Sequence, residues 1–231
     1  MIIDTTQHTL QTNGAMRNEN FHSSCNNASR QQTMPYLTAS SQLLPENLRN
    51  RPDSLQHSIL TSTTDVRNQN RIQKVWDCLE DVINKIASLG KCQILFNYIP
   101  SQKNDVTKII TQCNSLAQSY IKIDAYTTSL SRFLGVLSKC DALIGNEGGA
   151  VNMAKALSVP TFAIFSPWIR KEAWALFQNS INKSVHLNDY RKDLFESLSV
   201  KQIKKNSNQL YKSFKPELFE KELELFLEQL D

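Results

Sequence analysis

Asp141-Ala142-Leu143-Ile144-Gly145-Asn146-Glu147-Gly148-Gly149-Ala150-Val151-Asn152-Met153-Ala154-Lys155-Ala156-Leu157 decides the fold. Residues 141–145 read as a short apolar strand and residues 150–157 as a helix. Between them lies a glycine-rich turn, holding three of the chain's six glycines within residues 145–149. Such a turn lets the backbone approach a phosphate closely. The helix that follows then presents N–H groups and the positive end of its dipole to an anion. Asn146, Gly148 and Gly149 belong to that reading. Glu147 suits a ribose or sugar hydroxyl better than the phosphates themselves. The spacing is not GxGxxG, and a tight turn that needs positive φ accounts for the glycines equally well.

Working outward, residues 160–165 form another strand, with a helix expected to start near Pro167. Upstream, Val75, Trp76, Leu79, Val82, Ile83, Ile86 and Leu89 follow helical spacing and Gly90 stops them. Residues 93–99 read as a buried strand closed by Pro100. A second helix carries Val106, Ile109, Ile110, Cys113 and Leu116 on one face, and residues 121–123 make a short strand. Ser129 is placed to cap a helix with Leu130, Phe133, Leu134 and Leu137. Strands alternating with helices imply βαβ units, hence an α/β domain with a Rossmann-like parallel sheet. Lys215-Pro216 opens a last amphipathic helix, with Leu218, Phe219, Leu223, Leu225, Phe226 and Leu230, that packs back on the sheet.

The start of the chain reads differently. Residues 1–65 are rich in Asn, Gln, Ser and Thr, sustain no period and are broken by Pro35, Pro45 and Pro52. They are expected to be a disordered or loosely packed head, or a docking tail. The domain organisation expected is therefore a head over 1–65 and an α/β domain over 66–231.

Composition removes several classes of function. In 231 residues, 26 basic against 22 acidic side chains give a net charge of +4, too balanced to argue for nucleic acid as a partner. The longest apolar run, Thr161-Phe162-Ala163-Ile164-Phe165, is far short of a membrane span, and the first residues lack the pattern of a secretory signal. Five cysteines form no CxxC pair, and Cys78, Cys92, Cys113 and Cys140 sit among apolar residues, as small core residues in a reducing compartment do. Three of the four histidines precede residue 60 and none has metal-ligand spacing, so no metal is expected.

Residues 141–167, through Pro160-Thr161-Phe162-Ala163-Ile164-Phe165-Ser166-Pro167, closely resemble the C-terminal domain of the heptosyltransferase family, glycosyltransferase family nine. Arg71-Ile72-Gln73-Lys74-Val75-Trp76 is similar to the basic, Trp-containing segment leading into that domain's first helix. The resemblance covers roughly residues 66–231. It implies the C-terminal half of a GT-B glycosyltransferase, which moves a sugar from a nucleotide-diphosphate donor to a lipopolysaccharide-type, lipid-linked saccharide acceptor, with no cofactor and no obligatory metal. Carried over, Glu147 holds donor-sugar hydroxyls, the backbone of Gly148 and Gly149 faces the diphosphate, and Asn152 stands one helical turn behind. Lys74 is placed either to neutralise the diphosphate or as a solvated lysine at a helix start. Trp76 reads as core. Trp168 and Trp174 either line the cleft or pack. Asn152 replaces the family's usual histidine; it can donate a hydrogen bond but carries no proton near neutral pH.

The head does not resemble the family's N-terminal domain, which supplies the acceptor site and the general base. The resemblance therefore implies a donor-binding half whose acceptor domain is a separate partner. A non-catalytic nucleotide-sugar-binding module and a truncated remnant remain open beside it. A cytoplasmic location follows, at the inner face of the membrane where lipid acceptors sit.

Overall fold

The computed structural model describes residues 57–62, 79–90, 92–98, 100–123 and 129–230. Six strands form a single parallel sheet: β1 (His57–Ser62), β2 (Cys92–Asn97), β3 (Ile121–Lys122), β4 (Ala142–Asn146), β5 (Thr161–Phe165) and β6 (Asn182–His186). Their order is β3-β2-β1-β4-β5-β6. From β1 the chain winds outward to β3, returns to the other side of β1 as β4, and winds outward again to β6. That is the doubly wound Rossmann order, with its reversal between β1 and β4.

The strand at this reversal is the one the sequence hides. Residues 57–62 fall within the expected polar head, yet β1 is an interior strand. It pairs with β2 from His57↔Cys92 to Ser62↔Asn97 and with β4 from Ile59↔Ala142 to Ser62↔Gly145. The α/β domain thus takes in residues that the sequence reading assigned to the head. Only Ile59 and Leu60 in His57-Ser58-Ile59-Leu60-Thr61-Ser62 are strongly apolar, so the periodicity was too short to register. The rest of the head, Cys78, and the segment with Lys74 and Trp76 lie outside the described residues.

Helices cover both faces. On one, Ile59, Ile94, Phe96, Ala142, Ile144 and Phe162 pack against α1 (Leu79–Leu89), α2 (Lys103–Gln112) and α3 (Ser115–Tyr120). On the other, Leu95, Leu143, Ala163 and Phe165 pack against α4 (Leu130–Leu137) and α5 (Gly149–Ala156). The alternation of Ile94, Leu95 and Phe96 between these cores is the period of a strand buried on both sides.

The expected second helix is two. It breaks at Cys113-Asn114, where the Asn114 side chain accepts from the N–H of Ala117 at 2.9 Å and starts α3 afresh. The new start turns Ala117 inward and leaves Leu116 45% exposed, against the expectation for Leu116. Ser129 caps α4 as expected, accepting from the N–H of Arg132. Cys92, Cys113 and Cys140 are buried, and burial pushes the Cys92 and Cys113 thiols up to about 11, so both stay protonated and behave as small apolar residues.

After β5 the chain makes only the short α6 (Lys171–Trp174), so no helix begins at Pro167 itself. Beyond β6 come α7 (Leu187–Tyr190), α8 (Val200–Lys205), α9 (Ser207–Ser213) and α10 (Glu220–Glu228). The last packs back on the sheet. Phe226 and Phe219 lie 5.5 and 6.1 Å from Phe162 of β5, and Phe214 lies 5.4 Å from Phe219. Among the described residues, no helix is long and apolar enough to cross a membrane.

Two stability predictions follow from this packing. Phe226→Ala removes a fully buried ring from the aromatic cluster and should cost about 3–5 kcal/mol in urea unfolding. At the end of α5, Ser158 has φ 58°. The bonds Val159 N–H to Ala154 O and Ser158 N–H to Lys155 O form a Schellman cap around it. Ser158→Gly relieves the left-handed strain and should raise stability by up to about 1 kcal/mol, less the entropy glycine adds to the unfolded chain.

Candidate functional site

In an open parallel sheet, ligands settle at the carboxyl ends of the strands where the winding reverses. Here that point lies between Ser62, the last residue of β1, and Gly145 of β4, its partner in register. The turn from β4 into α5 begins two residues later, at Glu147. Four expected site residues therefore stand together at the reversal point: Asn146 ends β4, Glu147 and Gly148 make the turn, and Gly149 opens α5.

Gly148 has φ 149° and ψ −164°, a conformation essentially confined to glycine. Its place in the sequence is thus fixed by the backbone. Gly149 is different. It is helical and exposed, and a Cβ built on it would meet only Met153 Cε, at 3.8 Å, an ordinary contact. The protein's own packing does not require glycine there. Asn152 stands one turn further on, with its N–H donating to Gly148 O at 3.2 Å and its side chain on the exposed surface of α5. Buried Ala150, Val151 and Ala154 fix the opposite side of the helix. The opening turn of any helix carries amides that the helix itself does not satisfy, and it favours negative charge.

Glu147 is held from the neighbouring strand. The N–H of Ser166, the residue directly after β5, donates to its Oε2 at 3.0 Å. A backbone donor fixes the carboxylate without adding a second side chain to order. Ser166 went unread in the sequence because this contact spans 19 residues and joins two loops. The available signal was the end of an apolar strand beside the glycine turn's own strand.

Behind Ser166 stands a buried polar group. His186 ends β6 opposite Phe165, and Pro167 and Phe195 lie beside its ring. Its Nδ1 accepts from the N–H of Asn188 at 3.0 Å, capping α7. Its own N–H donates to Asp189 Oδ2, which also takes Lys171 Nζ at 2.6 Å. Burial holds the imidazole below its ordinary value, against the pull of the Asp189 carboxylate. Trp168 is half-buried with Lys204 Nζ 5.7 Å from its ring centroid, whereas Trp174 is 62% exposed.

A pocket of about 340 Å³ lies elsewhere, between α1 and the C-terminal segment, with Asp81, Lys85, Glu217 and Glu220 in its walls. Three carboxylates against one lysine in its walls disfavour a diphosphate there. Among the described residues, no group of three His, Cys, Asp or Glu is arranged to hold a metal ion.

Sheet order, reversal point and glycine turn define a doubly wound, Rossmann-like domain, and known structures share the fold. A glycosyl transferase family 9 protein from Veillonella parvula matches with a TM-score of 0.50 at 15% identity, over 78% of this chain and 48% of that one. E. coli ADP-heptose LPS heptosyltransferase II matches with a TM-score of 0.49 at 14% identity, over 71% of this chain and 49% of that one. An E. coli heptosyltransferase solved with ADP-2-deoxy-2-fluoro heptose gives 0.44 at 13% identity, over 70% and 46%. The chain thus spans about half the length of the structures it matches. No protein-family model and no curated protein matches it. The fold is Rossmann-like, with GT-B glycosyltransferases as its structural neighbours.

The His186 environment makes a pH prediction. Burial disfavours the protonated ring in the folded state, and protonating Nδ1 would also break the cap on Asn188. Its folded value lies below the unfolded 6.5, so the stabilisation is complete above 6.5 and is lost as pH falls toward the lower folded value. Thermal melts between about pH 7.5 and 5 should show stability falling with acid, and His186→Gln should flatten that fall. An unchanged slope in the variant would assign the acid sensitivity to other groups.

Proposed function

We propose that this chain is the donor-binding half of a glycosyltransferase of the heptosyltransferase kind, holding a nucleotide-diphosphate sugar at the β4–α5 turn. One observation carries the reading. A turn with glycine-only geometry at the reversal point opens a helix beside a carboxylate that Ser166 holds in place. The diphosphate lies against the backbone of Gly148 and Gly149, where helix amides and dipole stabilise it. The empty space over Gly149 is then room for a phosphate oxygen. Glu147 accepts from hydroxyls of the donor sugar, and Asn146 and Asn152 flank it. Lys74 supplies the cation for charge that develops on the leaving diphosphate, where a fixed positive group stabilises the transition state more than the ground state.

The acceptor is a lipid-linked saccharide of lipopolysaccharide type, approached from a second, N-terminal-type domain that carries the general base. The protein works in the cytoplasm, at the inner face of the membrane.

Calorimetric titration with ADP and an ADP-sugar tests this. Gly149→Ala should fold at least as stably as wild type, since alanine suits a helix better. It should nonetheless lose affinity for both ligands, and Gly149→Val should lose more. Glu147→Ala should weaken the ADP-sugar by about tenfold or more while leaving ADP nearly unchanged, the loss of charge-assisted hydrogen bonds to the sugar alone. Lys74→Ala should weaken both. Absence of binding by the folded wild-type chain would overturn the reading.

A further inference from the structure

Charge is segregated along the last part of the chain. Residues 197–216 contain five lysines, Lys201, Lys204, Lys205, Lys212 and Lys215, and no acidic residue, whereas residues 217–231 contain six acidic residues against one lysine. All five lysines are exposed. Lys201, Lys204 and Lys205 stand at i, i+3 and i+4 of α8 and so share one face. Four cations elsewhere are matched: Lys85 bridges Glu220 and Glu224, Lys171 meets Asp189, Lys108 meets Asp105 and Arg191 meets Asp193. Among the described residues none of the five forms an ion pair. Buried Leu210, Tyr211 and Phe214 fix the following helix to the core, so the charges are displayed on a rigid base.

We infer that this lysine face binds the surface of an anionic phospholipid bilayer. Its chemistry separates it from a nucleic-acid surface. Residues 197–216 contain no arginine, and their two aromatic rings, Tyr211 and Phe214, are buried, so neither guanidinium forks nor stacking platforms are offered. Lysines are compact point charges on flexible stems, suited to a diffuse field of headgroups. Val200, 58% exposed at the head of α8, adds an apolar side chain to the same segment. The face also has a position. Lys204 lies over Trp168, two residues from the Ser166 that holds Glu147, so the basic surface borders the carboxyl edge of the sheet. This inference goes beyond the donor-site reading and does not depend on it.

The test is co-sedimentation of the full chain with phosphatidylcholine vesicles, with and without about one-third phosphatidylglycerol. Binding should require the anionic lipid and weaken between about 0.1 and 0.5 M salt as screening shortens. Each lysine facing such a surface contributes about fivefold in affinity. The triple variant Lys201→Gln, Lys204→Gln, Lys205→Gln should therefore bind about 100-fold more weakly. Its control is Lys103→Gln, Lys108→Gln, Lys122→Gln, which removes the same net charge elsewhere and should change binding far less. Circular dichroism melts establish that both variants fold. Equal binding to neutral vesicles, equal losses in the two triple variants, or no binding to anionic vesicles would overturn the inference. So would tight binding to a mixed RNA pool, abolished by the α8 variant, without vesicle binding.

Discussion

The pairing of β1 with β4 is the constraint on which everything else rests. Two sets of strands run outward from it in opposite directions, and only there do the loops on the two sides diverge. Without β1 the sheet would be two fragments, β3-β2 and β4-β5-β6, each with an open edge of unpaired backbone groups. With it, Ser62 and Gly145 stand side by side at the carboxyl edge, and the glycine turn follows at the point where the winding reverses. The interior position also explains the burial of Thr61, a polar residue in a strand flanked on both sides.

How much of this the sequence showed depends on how local each signal was. β4, α5 and β5 were legible because each has a continuous apolar run or helical spacing bounded by glycine or proline. The turn itself was legible for the same reason, since Asn146, Glu147, Gly148 and Gly149 are consecutive. β1 was not, because four of its six residues are polar and it follows a long polar stretch. β6 escaped for a related reason: Asn182-Lys183-Ser184-Val185-His186 is an edge strand that buries little hydrocarbon, and only Val185 marks it. α7 to α9 are too short for a period to develop. Side chains start two of them instead, His186 for α7 and Ser199 with Gln202 for α8.

Contacts between loops are where sequence reading ends. Glu147 was picked out by its neighbours in the chain, but what fixes it is Ser166, and what stands behind Ser166 is His186. Those three residues come from the ends of β4, β5 and β6, three adjacent strands whose register brings them together. Parallel strands make this possible because every one of them ends at the same edge. A single register slip would move the partner by one residue and turn its side chain to the opposite face. The precision of the site is therefore a property of the sheet.

The same edge also explains why charge could separate so sharply in the last third of the chain. The acidic C-terminal helix docks by Phe219 and Phe226 against Phe162, and its carboxylates meet Lys85 of α1 on the outer surface. The lysine helices are anchored by a different set of side chains and reach Trp168 at the carboxyl edge. Packing of apolar residues thus sets where each segment lies, leaving its exposed charges free to differ. Had the two segments been interleaved, their charges would have cancelled over a few ångströms and produced no field at the scale of a Debye length. Kept apart, they leave a chain of modest net charge with three lysines on one face of α8, Lys204 among them reaching Trp168 beyond the end of β5.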